Sequence, residues 1–115
     1  MKQHDMETRI ARLSRLNTRG IYLDDFLLTW DRTDEEIAAV FEVAEILREM
    51  RRGNLSLRSF DSGLAISIFR DNSTRTRFSF SSAANLLGLA VQDLDEGKSQ
   101  IAHGETVRET AVMVS

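Results

Sequence analysis

The sequence predicts an α/β domain, part of a three-layer architecture in which helices pack against a parallel sheet, preceded by N-terminal helices. Two short apolar runs, at residues 64–69 and 89–94, have the length of strands. Residues 73–88 between them carry the start and stop signals of a helix, and residues 106–109 open another. The order from residue 64 favours a parallel sheet, because parallel neighbours need a crossover connection.

Two helices are predicted ahead of the first strand. The first runs from about residue 5 to residue 18 and is expected to end at Gly20. The second should start at Asp34, because Thr33 and Glu36 form a capping box, and Gly53 is expected to take the left-handed conformation that ends it. The apolar positions at helical spacing are Met6, Ile10, Leu13 and Leu16 in the first helix and Ile37, Val40, Phe41, Ala44 and Leu47 in the second.

The remaining elements follow from short local signals. A strand through Ile66 and Ile68 is apolar enough to be buried in a parallel sheet. Ser73 is a suitable N-cap for the next helix, and Gly88 is its expected stop. Residues 95–104 are expected to form a polar loop after the second strand. The packing residues predicted for the helix between the strands are Phe78, Ala83, Ala84 and Leu87.

Composition limits the class of protein. The 115 residues allow one small domain, and a net charge of −3 argues against a nucleic-acid partner. The sequence has no cysteine, so a disulfide framework or a thiolate metal site is excluded. It shows neither a signal-peptide core nor an apolar stretch of membrane-spanning length, and the expected location is the cytoplasm.

The predicted sheet is incomplete. Parallel sheets normally have more strands than the two predicted here, and this sheet would keep an unprotected edge. Residues 1–115 are therefore expected to be the N-terminal part of a larger domain.

Residues 73–77 read S-T-R-T-R and follow the first predicted strand and its polar turn. A helix starting there places backbone N–H groups and the positive end of the helix dipole at the carboxyl edge of the sheet, where open α/β sheets bind ligands. Hydroxyl groups add hydrogen-bond donors, and arginine adds a planar fork that matches the oxygens of a phosphate. The segment is therefore predicted to bind a phosphate dianion. The candidates are Ser73, Thr74, Arg75, Thr76 and Arg77.

The same residues also fit a plain structural explanation. Ser73 would then be only an N-cap, and the threonines and arginines would be the solvated first turn of an ordinary helix. Cations disfavour the first turn of a helix by about 0.3–1 kcal/mol each, because they face the positive end of its dipole. Two arginines in that turn are more readily explained by a bound anion, and this favours the phosphate site.

Residues 69–87, which include the S-T-R-T-R core, resemble the carbamoyl-phosphate signature of the aspartate and ornithine carbamoyltransferases. Residues 99–106 resemble the second loop of that family: the Ser-Gln start is similar to the ornithine type, and Gly-Glu-Thr is similar to the aspartate type. The resemblance covers about residues 20–115. Ser81 stands where the family usually has an acidic residue, and His103 stands where the aspartate type has lysine. The acceptor substrate is therefore left open.

The resemblance implies transfer of the carbamoyl group from carbamoyl phosphate to an amine or amide nitrogen, with no cofactor and no metal. Arg75 and Thr76 are the implied catalytic residues, since Arg75 would neutralise charge on the leaving group and Thr76 would also reach the carbonyl oxygen. Ser73 and Thr74 would help to hold the phosphate, while Arg77 would belong to the binding motif in a mainly structural role.

The resemblance also implies a homotrimer in which Ser99 and Gln100 complete the site of a neighbouring subunit. His103 is a further candidate there, and its plain explanation is a loop histidine exposed to solvent. The family's second, amino-acid-binding domain is not within residues 1–115, so this chain alone is expected to be inactive. Two alternatives stay open: a short module that binds carbamoyl phosphate or phosphate, and an assembly partner of full-length subunits.

Overall fold

The computed structural model describes residues 3–70, 73–94 and 107–115, which form two compact units, Met1–Ser56 and Leu57–Ser115. The first unit contains two helices and two single 3₁₀ turns, and the second contains two strands and two helices. In chain order the elements are α1 (Gln3–Ser14), the 3₁₀ turns Arg19–Ile21 and Thr29–Asp31, α2 (Asp34–Arg52), β1 (Leu64–Ile68), α3 (Thr74–Leu86), β2 (Ala90–Leu94) and α4 (Val107–Val114).

Helix α1 forms where predicted but ends earlier than expected. The amides of Arg15 and Leu16 bond to carbonyls three residues back, at 3.2 and 3.1 Å, so the last turn tightens and the helix stops at Ser14. Gly20 lies inside the following 3₁₀ turn, and the prediction that it ends the helix is wrong. The helix is tied to α2 through Arg9, whose guanidinium lies 2.9 Å from the buried Glu42 carboxylate.

Helix α2 confirms the predicted capping box. The Glu36 amide donates to Thr33 Oγ1 and the Thr33 amide donates to Glu36 Oε1, each at 3.1 Å. The prediction for the other end is wrong by one residue, because Gly53 has a φ of −80° and Asn54 has a φ of 57°. The Leu55 amide then reaches the Met50 carbonyl at 2.9 Å, and this bond closes a Schellman cap in which Asn takes the left-handed position.

The apolar stripe of α2 is only partly covered within its own unit. Ala39 is buried, but the side chains of Val40 and Phe41 are 45% and 68% exposed. The face of α2 that packs against α1 includes polar contacts, because the buried Glu42 accepts hydrogen bonds from Arg9 and Arg12.

The segment ahead of α2 is held by Arg32. Its guanidinium lies 2.8 Å from Asp24 and 3.3 Å from Glu36, and it also donates to the Gly20 carbonyl at 3.1 Å. The hydrogen bond from Arg32 lowers the pKa of Asp24 below its ordinary value. The apolar side chains carried by this segment remain largely exposed: Tyr22, Leu23, Phe26, Leu27, Leu28 and Trp30.

The second unit confirms the predicted α/β class and the order strand, helix, strand, helix. Strands β1 and β2 pair in parallel, from Leu64 opposite Ala90 to Ile68 opposite Leu94, and α3 makes the crossover. The full burial expected for β1 is not observed, because Leu64 is 60% exposed and Ile68 is 42% exposed. In the described part of the chain β1 has a sheet neighbour on one side only, which explains this exposure.

Helix α3 starts after Ser73 and is followed by Gly88, as predicted. Gly88 has a φ of +99°, and a Cβ atom there would lie 2.1 Å from the Phe60 carbonyl oxygen, so only glycine fits. Ala84 is buried as expected, but the packing role predicted for Phe78 is wrong because its side chain is 72% exposed. Phe80 faces inward instead and meets Phe69 edge to face, with the ring centroids 6.2 Å apart.

Helix α4 forms after the predicted start signal, whose first residue, Thr106, lies outside the described residues, as does the predicted loop at 95–104. Among the described helices, none has the length and apolar character needed to cross a membrane.

Candidate functional site

The first turn of α3 carries the predicted phosphate-binding residues. Ser73 stands at the N-cap position with φ −80° and ψ 88°, but its hydroxyl does not cap a backbone amide of the helix. It lies 2.8 Å from Thr76 Oγ1 instead, so these two hydroxyls share a hydrogen bond. The amide of Arg77 is bonded within the helix, to the Ser73 carbonyl at 3.0 Å. Helix geometry leaves the amides of residues 74–76 without acceptors inside the helix, so these amides are available to an anion.

Arg75 is exposed on this turn, as are Thr74 and Thr76. Within the described ranges 3–70, 73–94 and 107–115, no carboxylate forms an ion pair with the Arg75 guanidinium. Its backbone carbonyl accepts a hydrogen bond from the Ser79 hydroxyl, which ties the first turn of the helix to the second. The turn therefore exposes hydroxyl groups, backbone amides and one guanidinium to solvent. These are the kinds of hydrogen-bond donor that bind a phosphate.

Arg77 is turned toward the sheet. Its Nη1 lies 2.5 Å from Asp93 Oδ2, and its Nη2 donates to the Phe69 carbonyl oxygen at 3.2 Å. The guanidinium carbon also lies 5.7 Å from the centre of the Phe69 ring, over which it stacks. These contacts give Arg77 partners from the end of β1 and from β2.

Asp93 and Ser67 were not identified from the sequence. The two residues are partners in the parallel register, and the Ser67 hydroxyl donates to Asp93 Oδ1 at 2.8 Å. This hydrogen bond lowers the pKa of Asp93, and the Arg77 guanidinium lowers it further, while partial burial acts in the opposite direction. One signal was available, because Ser67 is a polar residue inside an otherwise apolar strand.

The structure thus brings Ser73 and Thr76 into contact and places Thr74 and Arg75 on the same turn. The other predicted site residues, Ser99, Gln100 and His103, lie outside the described residues. Among the described residues, no group of three or more His, Cys, Asp or Glu side chains is placed to hold a metal ion.

Comparison with known proteins decides the family. A sequence model described as "Aspartate/ornithine carbamoyltransferase, carbamoyl-P binding domain" matches residues 24–115, which include the whole of the second unit. The chain belongs to the aspartate/ornithine carbamoyltransferase family.

Individual members of the carbamoyltransferase family match over most of this chain. The Escherichia coli K12 protein named "Putative carbamoyltransferase YgeW" is 64% identical over 98 residues, which are 85% of this chain and 25% of that protein. An ornithine carbamoyltransferase of Parafrankia sp. strain EAN1pec is 40% identical over 78% of this chain and 29% of its own length. The aspartate carbamoyltransferase catalytic subunit of Aliarcobacter butzleri is 34% identical over 81% of this chain and 30% of its own length.

This chain spans about a quarter of the length of the carbamoyltransferases that it matches. The part that matches corresponds to a carbamoyl-phosphate-binding domain by the description of the family model. Because ornithine and aspartate carbamoyltransferases both match, the family assignment does not select an acceptor.

Proposed function

We propose that residues 1–115 are the N-terminal part of the carbamoyl-phosphate-binding domain of a carbamoyltransferase. The intact protein would transfer the carbamoyl group to an amine or amide nitrogen of an acceptor still to be identified. The observation that carries the proposal is the position of Arg75. It lies exposed on the first turn of α3, beside hydroxyl groups and beside amides that have no acceptor within the helix, in a segment that matches the family's carbamoyl-phosphate-binding domain.

The proposed ligand is a phosphate dianion bonded to a carbamoyl group. Backbone amides of the first turn and the positive end of the α3 dipole attract the phosphate oxygens. Arg75 presents a planar pair of N–H donors that match two of those oxygens and stays charged at any relevant pH. The hydroxyl of Thr74 supplies a further donor, and Ser73 and Thr76, whose hydroxyls are bonded to each other, together supply one more.

The hydrogen bond between Ser73 and Thr76 limits how many protons their hydroxyls can donate to a ligand. Each hydroxyl has one proton to donate, and the bond of 2.8 Å uses one of the two protons. The other proton stays free to point at the anion. Thr76 in the first turn of the helix would direct its proton toward the carbonyl oxygen or a phosphate oxygen of the ligand.

In the proposed reaction the acceptor nitrogen attacks the carbonyl carbon, and a tetrahedral centre forms. The bond from that carbon to the bridging oxygen then breaks, phosphate leaves with the electron pair, and the nitrogen gives up a proton to the departing phosphate. Charge grows on the phosphate as the bond breaks, and Arg75 stabilises that charge. Positioning and charge stabilisation account for the catalysis, so the proposal needs neither a cofactor nor a metal.

The rest of the site would come from outside the described residues. We propose that the remainder of the intact protein supplies the amino-acid-binding domain, since the matched relatives are about four times longer than the segment that they share with this chain. Ser99, Gln100 and His103 are proposed to complete a neighbouring subunit's site in a homotrimer located in the cytoplasm. On this proposal residues 1–115 alone bind the phosphate but do not catalyse transfer.

The test is calorimetric titration of carbamoyl phosphate into the intact protein and its Arg75→Ala variant. Loss of the charged, forked contact should abolish measurable binding. Arg48→Ala is the matched control, because Arg48 is an exposed arginine that forms an ion pair with Glu45 at 2.9 Å on α2. An Arg75→Ala variant that binds as tightly as the wild type would refute the site.

A second candidate is an inactive binding module or an assembly partner of full-length subunits. The observation that favours it is the set of exposed apolar side chains ahead of α2, of which Leu23 is 90% exposed and Trp30 is 78% exposed. Turnover by the intact protein would exclude it. Binding of carbamoyl phosphate without turnover, together with co-purification of a longer subunit of the same family, would support it.

A further inference from the structure

Arg77 connects the first turn of α3 to β2 and to the residue that follows β1. One of its nitrogens donates to the backbone carbonyl of Phe69, which directly follows β1. Another nitrogen forms an ion pair with Asp93 on β2. The side chain of Arg77 is only 22% exposed, so it is largely held between these partners.

Asp93 is itself held in place by Ser67. Ser67 is buried at 5% exposure and stands directly opposite Asp93 in the strand register. The Ser67 hydroxyl donates a hydrogen bond to Oδ1 of the carboxylate, and the Arg77 guanidinium donates one to Oδ2. Both oxygens of Asp93 are therefore engaged, and the orientation of the carboxylate is set from the interior of the sheet.

A cation in the first turn of a helix faces the positive end of the dipole, and a nearby carboxylate offsets this repulsion. Asp93 supplies that carboxylate for Arg77. Without it, the guanidinium would lose its ion pair to β2, while its contacts with the carbonyl and the ring of Phe69 would remain. The first turn of α3 would then lose one of its attachments to the sheet, and the donors on Ser73 and Thr76 would be less well positioned.

We propose that Asp93, oriented by Ser67, is a positioning residue that holds Arg77 and so fixes the first turn of α3 in the geometry that receives the phosphate group. Asp93 does not touch the ligand and acts only through Arg77. The inference rests on the proposed function, because it assigns a support to the same carbamoyl-phosphate site. It adds two residues, Ser67 and Asp93, that lie outside the S-T-R-T-R motif.

The first test is calorimetric titration of carbamoyl phosphate, and separately of inorganic phosphate, into the intact protein. Asp93→Ala should weaken both affinities by about tenfold, because displacement of a binding group by a fraction of an ångström is costly in a site of fixed geometry. Asp93→Asn keeps an oxygen for Arg77 and should recover part of the loss. Ser67→Ala leaves the ion pair in place and should weaken binding less than Asp93→Ala.

Glu45→Gln is the matched control for the loss of a carboxylate paired with arginine. Glu45 pairs with Arg48 on the exposed surface of α2, 2.9 Å apart, and has no part in the proposed site. Its replacement should leave both affinities unchanged. Each variant is also followed by thermal unfolding, and the titrations are made well below its unfolding temperature. If Asp93→Ala lowers the unfolding temperature but not the affinities, Asp93 has only a structural role and the proposal is overturned.

A double-mutant cycle tests whether Asp93 acts through Arg77. The double variant with Arg77→Ala and Asp93→Ala should bind no more weakly than Arg77→Ala alone, because on this proposal Asp93 acts on the site through Arg77. Additive losses would overturn the inference. Arg75→Ala distinguishes a failure of the proposed binding site from a failure of the positioning role of Asp93. If Arg75→Ala leaves binding intact, the proposed function fails. If it abolishes binding while Asp93→Ala has no effect, only the positioning role fails.

Discussion

Ser67 and Asp93 lie opposite each other in the parallel strand pair, and the Ser67 hydroxyl donates a hydrogen bond of 2.8 Å to the Asp93 carboxylate. The same carboxylate holds Arg77 in the first turn of α3. Two strands and the helix that connects them therefore meet in one polar network next to the candidate site.

Thr76→Val should weaken carbamoyl-phosphate binding by about tenfold or more, since a hydrogen bond to a charged group contributes about 1.5–3 kcal/mol. Valine has nearly the shape of threonine but cannot donate a proton. Thr76→Ser keeps the hydroxyl and should bind nearly as well as the wild type. Titration of the intact protein measures both affinities, and a valine variant with wild-type affinity would remove Thr76 from the proposed site.

The Asp93 interactions should stabilise the protein only while the carboxylate is charged. Its pKa in the folded protein lies below the ordinary value of 3.8. The stabilisation is therefore complete above pH 3.8 and is lost as the pH falls through the folded-state pKa. Asp93→Asn should lower the unfolding temperature at about pH 6 and have a smaller effect at about pH 3. An effect that grows toward acidic pH would contradict the assignment.

Asn54→Ala should destabilise the end of α2 by about 1 kcal/mol, because asparagine adopts the left-handed conformation more readily than alanine does. Gly53→Ala should be neutral or stabilising by about 0.4–1 kcal/mol, since the φ of Gly53 is −80° and a Cβ there makes ordinary contacts. Chemical denaturation of the intact protein compares the two variants. The reverse order of stabilities would mean that Gly53, and not Asn54, takes the left-handed position.

Gly88→Ala should destabilise the second unit by at least about 2 kcal/mol. A Cβ at this position would lie 2.1 Å from the Phe60 carbonyl oxygen, which belongs to the backbone and cannot move aside freely. The expected result is a large fall in the unfolding temperature or loss of folded protein on expression. Gly53→Ala is the control for adding a methyl group beside a helix end, and an equal effect of the two changes would disprove the steric argument.

Local sequence signals predicted most elements of both units. Helix α2 follows from its capping box, because Thr33 and Glu36 satisfy each other's neighbouring amides without help from distant residues. The strands and the crossover follow from the short apolar runs on either side of α3. The signals failed at boundaries, where neighbouring residues compete: Asn54 took the position expected for Gly53, and Phe80 took the inward face expected for Phe78.

The α/β order, the start of α2 and the S-T-R-T-R turn at the N-terminus of α3 could be predicted without a structure, because each depends on residues that are close together in the chain. The contacts of Asp93 with Ser67 and with Arg77 could not be predicted in this way and are seen in the folded chain. Those contacts depend on the register of two strands separated by a helix. A shift of one residue in that register would point the Asp93 side chain to the other face of the sheet, away from the Arg77 side chain.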